Sequence, residues 1–290
     1  MSNTIDYQQE WAAVVQERLS DPALWNIINN VKVVDGDVYN NPYETHASFQ
    51  SHTKGTAYTH QDVTFTNETA IVDQSVILPQ QIDRVDLIQS KYANLMKLAE
   101  MQGVSAGEKL DNLMLAAHAG WENFDNASIG GAAGNITVSI NNIDDIIDNL
   151  DVQIDQAKGN KLANRNGRFI VWRAADFAKL KGLARSQGFL SADDIIMNGM
   201  NFGFKYGGWE HYVSSQHTSG HLFAGVKKVH FLGVAAGAFP MVYTVDEPTL
   251  RDTASDVAGN LSAKSVVTRI DHVYKTFNNF ASVLFDVLVA

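Results

Sequence analysis

Apolar side chains recur at helical spacing in several stretches of the chain. Between residues 5 and 19, Trp11, Val14, Val15 and Leu19 share a face, and Asp21-Pro22 ends the run before a second apolar patch of Leu24, Trp25, Ile27 and Ile28. Together they read as a short amphipathic arm. Beginning near Asp83, the positions Ile88, Tyr92, Leu95, Met96 and Ala99 follow i, i+4, i+7, i+8, i+11, Gly103 interrupts, and Leu110, Leu113, Met114 and Ala117 resume the period. This predicts one long helix, or two in tandem, of roughly 45 to 50 Å at ~1.5 Å per residue. Further on, Ile143, Ile146, Ile147, Leu150 and Ile154 face one way and Asp144, Asp145, Asp148 and Asp151 the other, so an amphipathic helix is expected there.

Other stretches lack that period. From Asn29 to about Lys54 the chain is rich in Asn, Asp, Gly and Pro, which reads as an extended connector too polar for a core. Across residues 56 to 83, Val63 and Phe65 alternate with Thr64 and Thr66, Thr66-Asn67-Glu68-Thr69 supplies turn chemistry, and a second β-rich run continues through Leu78 to Pro79. The expectation is a long polar β-hairpin. A hairpin with so few large apolar residues cannot bury itself, so its partner must be another part of the molecule or another molecule. In "NRNGRFIVWRAADFAKL", residues 164 to 180, a strand-like run from Phe169 to Trp172 leads into a helix-like run from Ala174 to Leu180. Phosphate sites have this shape. Beyond it Phe202, Phe204 and Tyr206 alternate as in a strand, and "KVHFLGV", "MVYTV" and "ASVLFDVLVA" are β runs around a polar insert at 249 to 264. The mixture is that of an α+β protein.

Composition narrows the possibilities. A chain of 290 residues can bury a sizeable core. It contains no cysteine, which excludes disulfides and thiolate metal sites and fits assembly in a reducing compartment. No basic segment followed by an apolar core opens the sequence, so no secretory signal is expected, and no apolar run approaches the ~20 residues that span a bilayer. The formal charge of -10 argues against a surface that grips nucleic acid; Lys227 and Lys228 are adjacent but isolated.

Motifs for catalysis are weak. The glycine-rich loop Gly130 to Gly134 lacks the lysine and serine of a P-loop, and GxSxG is absent. His217 and His221 are four apart, a spacing that suits a metal on a helix, yet the intervening residues disfavour helix and no third ligand is obvious. A metal-dependent hydrolase using His217, His221 and an acidic partner therefore stands only as the rival reading. No catalytic residue, cofactor or metal is assigned.

The order of elements resembles that of the major capsid proteins of tailed bacteriophages, with the HK97-like fold. "YTHQDVTFTNETAIVDQSVILPQQID" looks like that family's protruding E-loop, "RVDLIQSKYANLMKLAEMQGVSAGEKLDNLMLAAHAG" like its spine helix, and "NRNGRFIVWRAADFAKL" like the segment that opens its A-domain core, with Arg173 near where the family commonly has proline. "HLFAGVKKVHFLGVAAGAF" is similar to its late strand region, and "VYKTFNNFASVLFDVLVA" to its closing P-domain strand. The resemblance implies an N-terminal arm at 1–55, an E-loop hairpin at 56–82, a P-domain with spine helix at 83–125, an A-domain at 126–225 and a return to the P-domain at 226–290. It implies hexamers and pentamers tiling an icosahedral head shell around double-stranded DNA, assembled in the bacterial host's cytoplasm, with scaffolding, portal and decoration or cement proteins as further partners. DNA would be touched weakly and non-specifically, and no membrane is involved. Because the folded pattern starts within the first ~50 residues, no cleavable scaffolding segment is expected. Subunit contacts would fall on Val63, Phe65, Ile71 and Val72 of the hairpin, Trp11, Leu19 and Trp25 of the arm, and Arg165 and Arg168. Lys54 is the only lysine near the hairpin and precedes it, so stabilisation is expected to be noncovalent. An encapsulin-like nanocompartment shell shares the fold and is the alternative.

Overall fold

A computed structural model describes residues 24–44, 49–83, 92–118, 121–124, 135–157, 159–186, 204–214, 217, 220–235, 241–244 and 263–290. The described chain begins with a one-turn helix, α1 (Leu24–Ile28), and a strand, β1 (Asn30–Val34). Leu24, Trp25 and Ile28 are buried, and α1 lies against the long helix α2 (Tyr92–Ala116). The two are joined by a hydrogen bond from the Trp25 backbone N–H to Asp111 Oδ1 at 2.7 Å. Helix α2 is continuous through Gly103. Its 25 residues span about 37 Å, and Gln102, Ala106, Leu110 and Met114, four apart, are the buried row. The expected beginning around Ile88 lies outside the described residues.

Two sheets carry most of the remaining chain. In the first, β10 (Phe231–Ala235) pairs in parallel with β1 and antiparallel with the 13-residue strand β12 (Ala263–Lys275), which also holds β11 (Met241–Thr244) and β4 (Gln74–Asp83). The second runs in the order β5 (Glu122–Phe124), β13 (Leu284–Leu288), β9 (His221–Val226), β6 (Arg168–Trp172), β8 (Trp209–Val213), β7 (Phe204–Tyr206). Strand β6 is interior to the sheet, and Phe169 to Trp172 are all fully buried, as a continuous apolar run requires. The β7–β8 hairpin turns on Gly207 and Gly208, with φ of 57° and 81°, the left-handed pair that a two-residue turn demands. Helices α3 (Ile143–Gln156), α4 (Asn160–Asn166) and α5 (Ala174–Ser186) complete this half. All five isoleucine and leucine positions predicted to face inward on α3 are buried.

The hairpin expected at 56–82 does not form. Strand β3 runs Phe65–Ile71, straight through Thr66-Asn67-Glu68-Thr69, and pairs with β2 (Val38–Glu44) from the supposed connector, while β4 joins the first sheet. Polar residues on both faces of an exposed ribbon look in sequence like a turn; here they are ladder residues, and the Asn67 amide donates to Asn40 Oδ1 at 3.2 Å across the strands. Pro79 likewise sits inside β4, opposite Val267, rather than ending it. An edge strand can place proline where no ladder N–H is needed. The stretch 29–54 is not outside the core either: β1 lies within it and Val34 is 2% exposed. Strand β13, expected as the closing P-domain strand, pairs with β9 and β5 in the second sheet.

Candidate assembly surface

The β2–β3 ribbon has an anchored root and a bare outer part. At the root, Tyr39 stacks on Phe231 with ring centroids 4.5 Å apart, and Ala70 is buried with Val34, Val273 and Phe277 in a small cluster of its own. The Val72 N–H donates to the Asp37 carbonyl at 2.8 Å, the Asn278 N–H to Glu68 Oε2 at 2.9 Å, and Lys275 Nζ to the Thr69 carbonyl at 2.5 Å. These contacts fix the ribbon's exit from the first sheet. Along the ribbon's length the burial alternates, leaving Val38, Asn40, Pro42 and Glu44 of β2 and Phe65, Asn67, Thr69 and Ile71 of β3 on an exposed face. All residues from 49 to 64 are exposed.

Apolar exposure concentrates here. Phe65 is 74% exposed and Ile71 53%, and eight of the twelve exposed large apolar side chains among the described residues lie between Val33 and Ile77. Such a grouping along one stretch of the chain, centred on the ribbon and residues 49–64, marks a surface that meets another molecule. A second feature is a groove of about 470 Å³ where α2 passes β4 and β12, lined by Val76, Ile77, Leu78, Ala106 and Ile270 together with the polar Ser75, Ser105 and Lys109.

The nine residues named from sequence fall into distinct places. Val63, Phe65 and Ile71 are exposed on the ribbon or just before it, whereas Val72 packs partly buried at its root. Trp25, expected to anchor an arm on a neighbour, is 3% exposed inside its own chain, because its short helix presents that face to α2. Trp11 and Leu19 lie outside the described residues. Arg165 is exposed on α4. Arg168 ion-pairs with Asp151 Oδ1 at 2.5 Å and lies 5.8 Å over the Trp209 ring, whose Nε1–H donates to the same oxygen at 2.7 Å. It fastens α3 to the second sheet. Between the two arginines, Gly167 closes α4 with φ 83°, its N–H donating to the Ala163 carbonyl at 2.8 Å. That backbone conformation favours glycine.

Internal contacts also explain the isolated lysines. Lys227 is 8% exposed and bonds Glu210 and the Tyr212 hydroxyl, while Lys228 donates its N–H to the Ile28 carbonyl at 2.6 Å and its ammonium to the Asn26 carbonyl. Lys227 is thus held inside its own chain, whereas Lys228 stays exposed. His217 and His221, paired in sequence as possible ligands, diverge: His217 Nε2 meets the Val171 carbonyl at 3.1 Å, and His221 turns to Asp286. The Gly130–Gly134 loop lies outside the described residues, and no described helix is long and apolar enough to cross a membrane.

No family model and no curated protein matches the sequence. Solved structures do match, along nearly the whole chain. A chain from Mycobacterium phage Che8 superposes with TM-score 0.64 at 10% identity, over 91% of this chain and 90% of that one. The capsid of Ralstonia phage GP4 gives 0.61 at 13% identity, over 90% and 87%. A virus-like particle from Pyrococcus furiosus gives 0.59 at 9% identity, over 99% and 100%. At these identities the likeness is one of fold.

Proposed function

We propose that this chain, which has the HK97-like fold of the phage capsids it superposes on, is the major capsid protein of a tailed bacteriophage and acts by self-association rather than catalysis. The observation that carries the reading is the two-way coverage: the capsid of Ralstonia phage GP4 matches over 90% of this chain and 87% of its own, and that of bacteriophage PhiM1 over 92% and 87%. The ribbon β2–β3 with residues 49–64 would be the E-loop, α2 the spine helix, and the second sheet with α3 to α5 the centre of the capsomer. An element that cannot bury its own apolar face is stabilised by lying on the next subunit, and such head-to-tail contacts close into rings. Hexamers and pentamers built this way would enclose double-stranded DNA in an icosahedral shell inside the host bacterium, with scaffolding, portal or cement proteins as partners.

A closed shell of the nanocompartment kind is the second reading, favoured by the full-length match to the Pyrococcus furiosus particle. Electron microscopy of the expressed protein tests both. Shells or capsomer rings are expected, and a discrete monomer under all conditions would overturn both readings. Particles from infected cells that hold protein cargo and no DNA would favour the second.

A further inference from the structure

We propose that His118, His221 and Asp286 form a site for one divalent transition-metal ion, with Zn²⁺ as the best fit. Three separate elements bring them together. His118 lies two residues beyond α2, His221 opens β9, and Asp286 is the middle residue of β13. In the β9–β13 ladder His221 pairs with Leu288, which puts it diagonal to Asp286 on the same sheet face. His221 Nδ1 is 2.8 Å from Asp286 Oδ1 and 3.0 Å from Oδ2, and His118 Nδ1 is 3.0 Å from Oδ2. The ligand atoms of all three residues lie within 4.8 Å of one another.

Four ligand atoms around zinc, each ~2.0–2.1 Å away, stand about 3.3 Å apart. The histidine–carboxylate separations fall a few tenths of an ångström short of this and the remaining one lies within 4.8 Å, so side-chain rotations that spread the first and adjust the second would admit the ion. The chemistry fits as well. Two imidazoles and one carboxylate suit zinc and its neighbours among the divalent metals, and a chain without cysteine offers no softer set. Asp286 is 2% exposed, an expensive place for an anion unless it is compensated. The two histidines are 29% and 23% exposed, which leaves an entry path and a fourth position for water. Phe223 forms an apolar wall, its ring parallel to His221 and 5.4 Å from His118. A bound ion would staple the end of α2 to the second sheet.

The rival is a hydrogen-bonded trio without metal, and glutamine variants separate the two, because glutamine can still donate to Asp286 but supplies no imidazole. Metal-free protein, prepared with a chelator, would be titrated with Zn²⁺ by calorimetry and with Co²⁺ by visible absorption. One equivalent per chain is expected, with a cobalt d–d band of four-coordinate intensity and an unfolding temperature that rises with zinc and falls back with chelator. His118→Gln and His221→Gln should each weaken binding by at least about tenfold, while His217→Gln, four residues from His221 but bonded to Val171, should leave it unchanged. No saturable binding, or equal loss in His217→Gln, would overturn the site.

Discussion

Asp111 and His211 place opposite pH dependences within one core. Burial, the largest influence, raises the Asp111 carboxyl from 3.8 to about 6 against the opposing N–H groups of Trp25 and Leu24. The folded chain therefore holds this proton more tightly than the unfolded one, so the contribution is fullest below pH 3.8 and is lost as pH rises through 6. Asp111→Asn should be more stable than the parent at pH 8 by on the order of 1–2 kcal/mol, with the advantage gone at pH 4, as read by urea unfolding. A variant less stable at pH 8 would show that the carboxylate's bond to Trp25 outweighs its desolvation. His211 works the other way. Its Nδ1 accepts the Trp172 indole N–H at 2.8 Å, so Nε2 carries the proton that meets the Tyr206 carbonyl at 3.1 Å. Burial lowers its pKa to about 4 and that of His230 to about 3, so their share of stability stands above pH 6.5 and is lost on acidification. Without Asp111 to offset them, the acid limb should steepen.

At the scale of elements, the ribbon is the part whose stability depends on company. Phe65 and Ile71 are exposed in the isolated chain, so replacing both with serine should leave monomer unfolding within about 0.5 kcal/mol of the parent. Shell assembly should suffer, because each such side chain contributes about 1.5–3 kcal/mol where it becomes buried. Light scattering of assembly against concentration checks this, and unchanged assembly would remove the ribbon from the interface. This element was also the least legible. Its strands meet across a long stretch of chain, Asn40 opposite Thr69 and Pro42 opposite Asn67, and nothing local in either segment identifies the partner. Helix α3 and the β6–α5 corner could be read directly, since their periods come from burial on one face or both.

Across the whole molecule, the charge of -10 combines with the burial of Lys227 and the tie of the Lys228 ammonium to the Asn26 carbonyl. Unassembled subunits should therefore fail to retard double-stranded DNA in gels at ~150 mM salt, where binding requires several free cations aimed at phosphates. Retardation that weakens steeply with added salt would reveal a cationic surface formed outside these contacts. Arg168 illustrates the same point on a smaller scale, because in sequence it is a free arginine beside a glycine, and in the fold it is spent on Asp151 and Trp209.

The sequence by itself determined the α+β class, the long helix, the amphipathic α3 and the absence of thiol chemistry, because periodicity and composition are local properties that survive without knowledge of partners. Only the tertiary structure decided that β2 pairs with β3, that Trp25 belongs to its own core, and that β13 joins β9. It alone brought His118 beside His221 and Asp286, from positions more than a hundred and more than sixty residues distant. Pairing across such separations is selected by the combined burial of whole sheets, and no single segment carries that information.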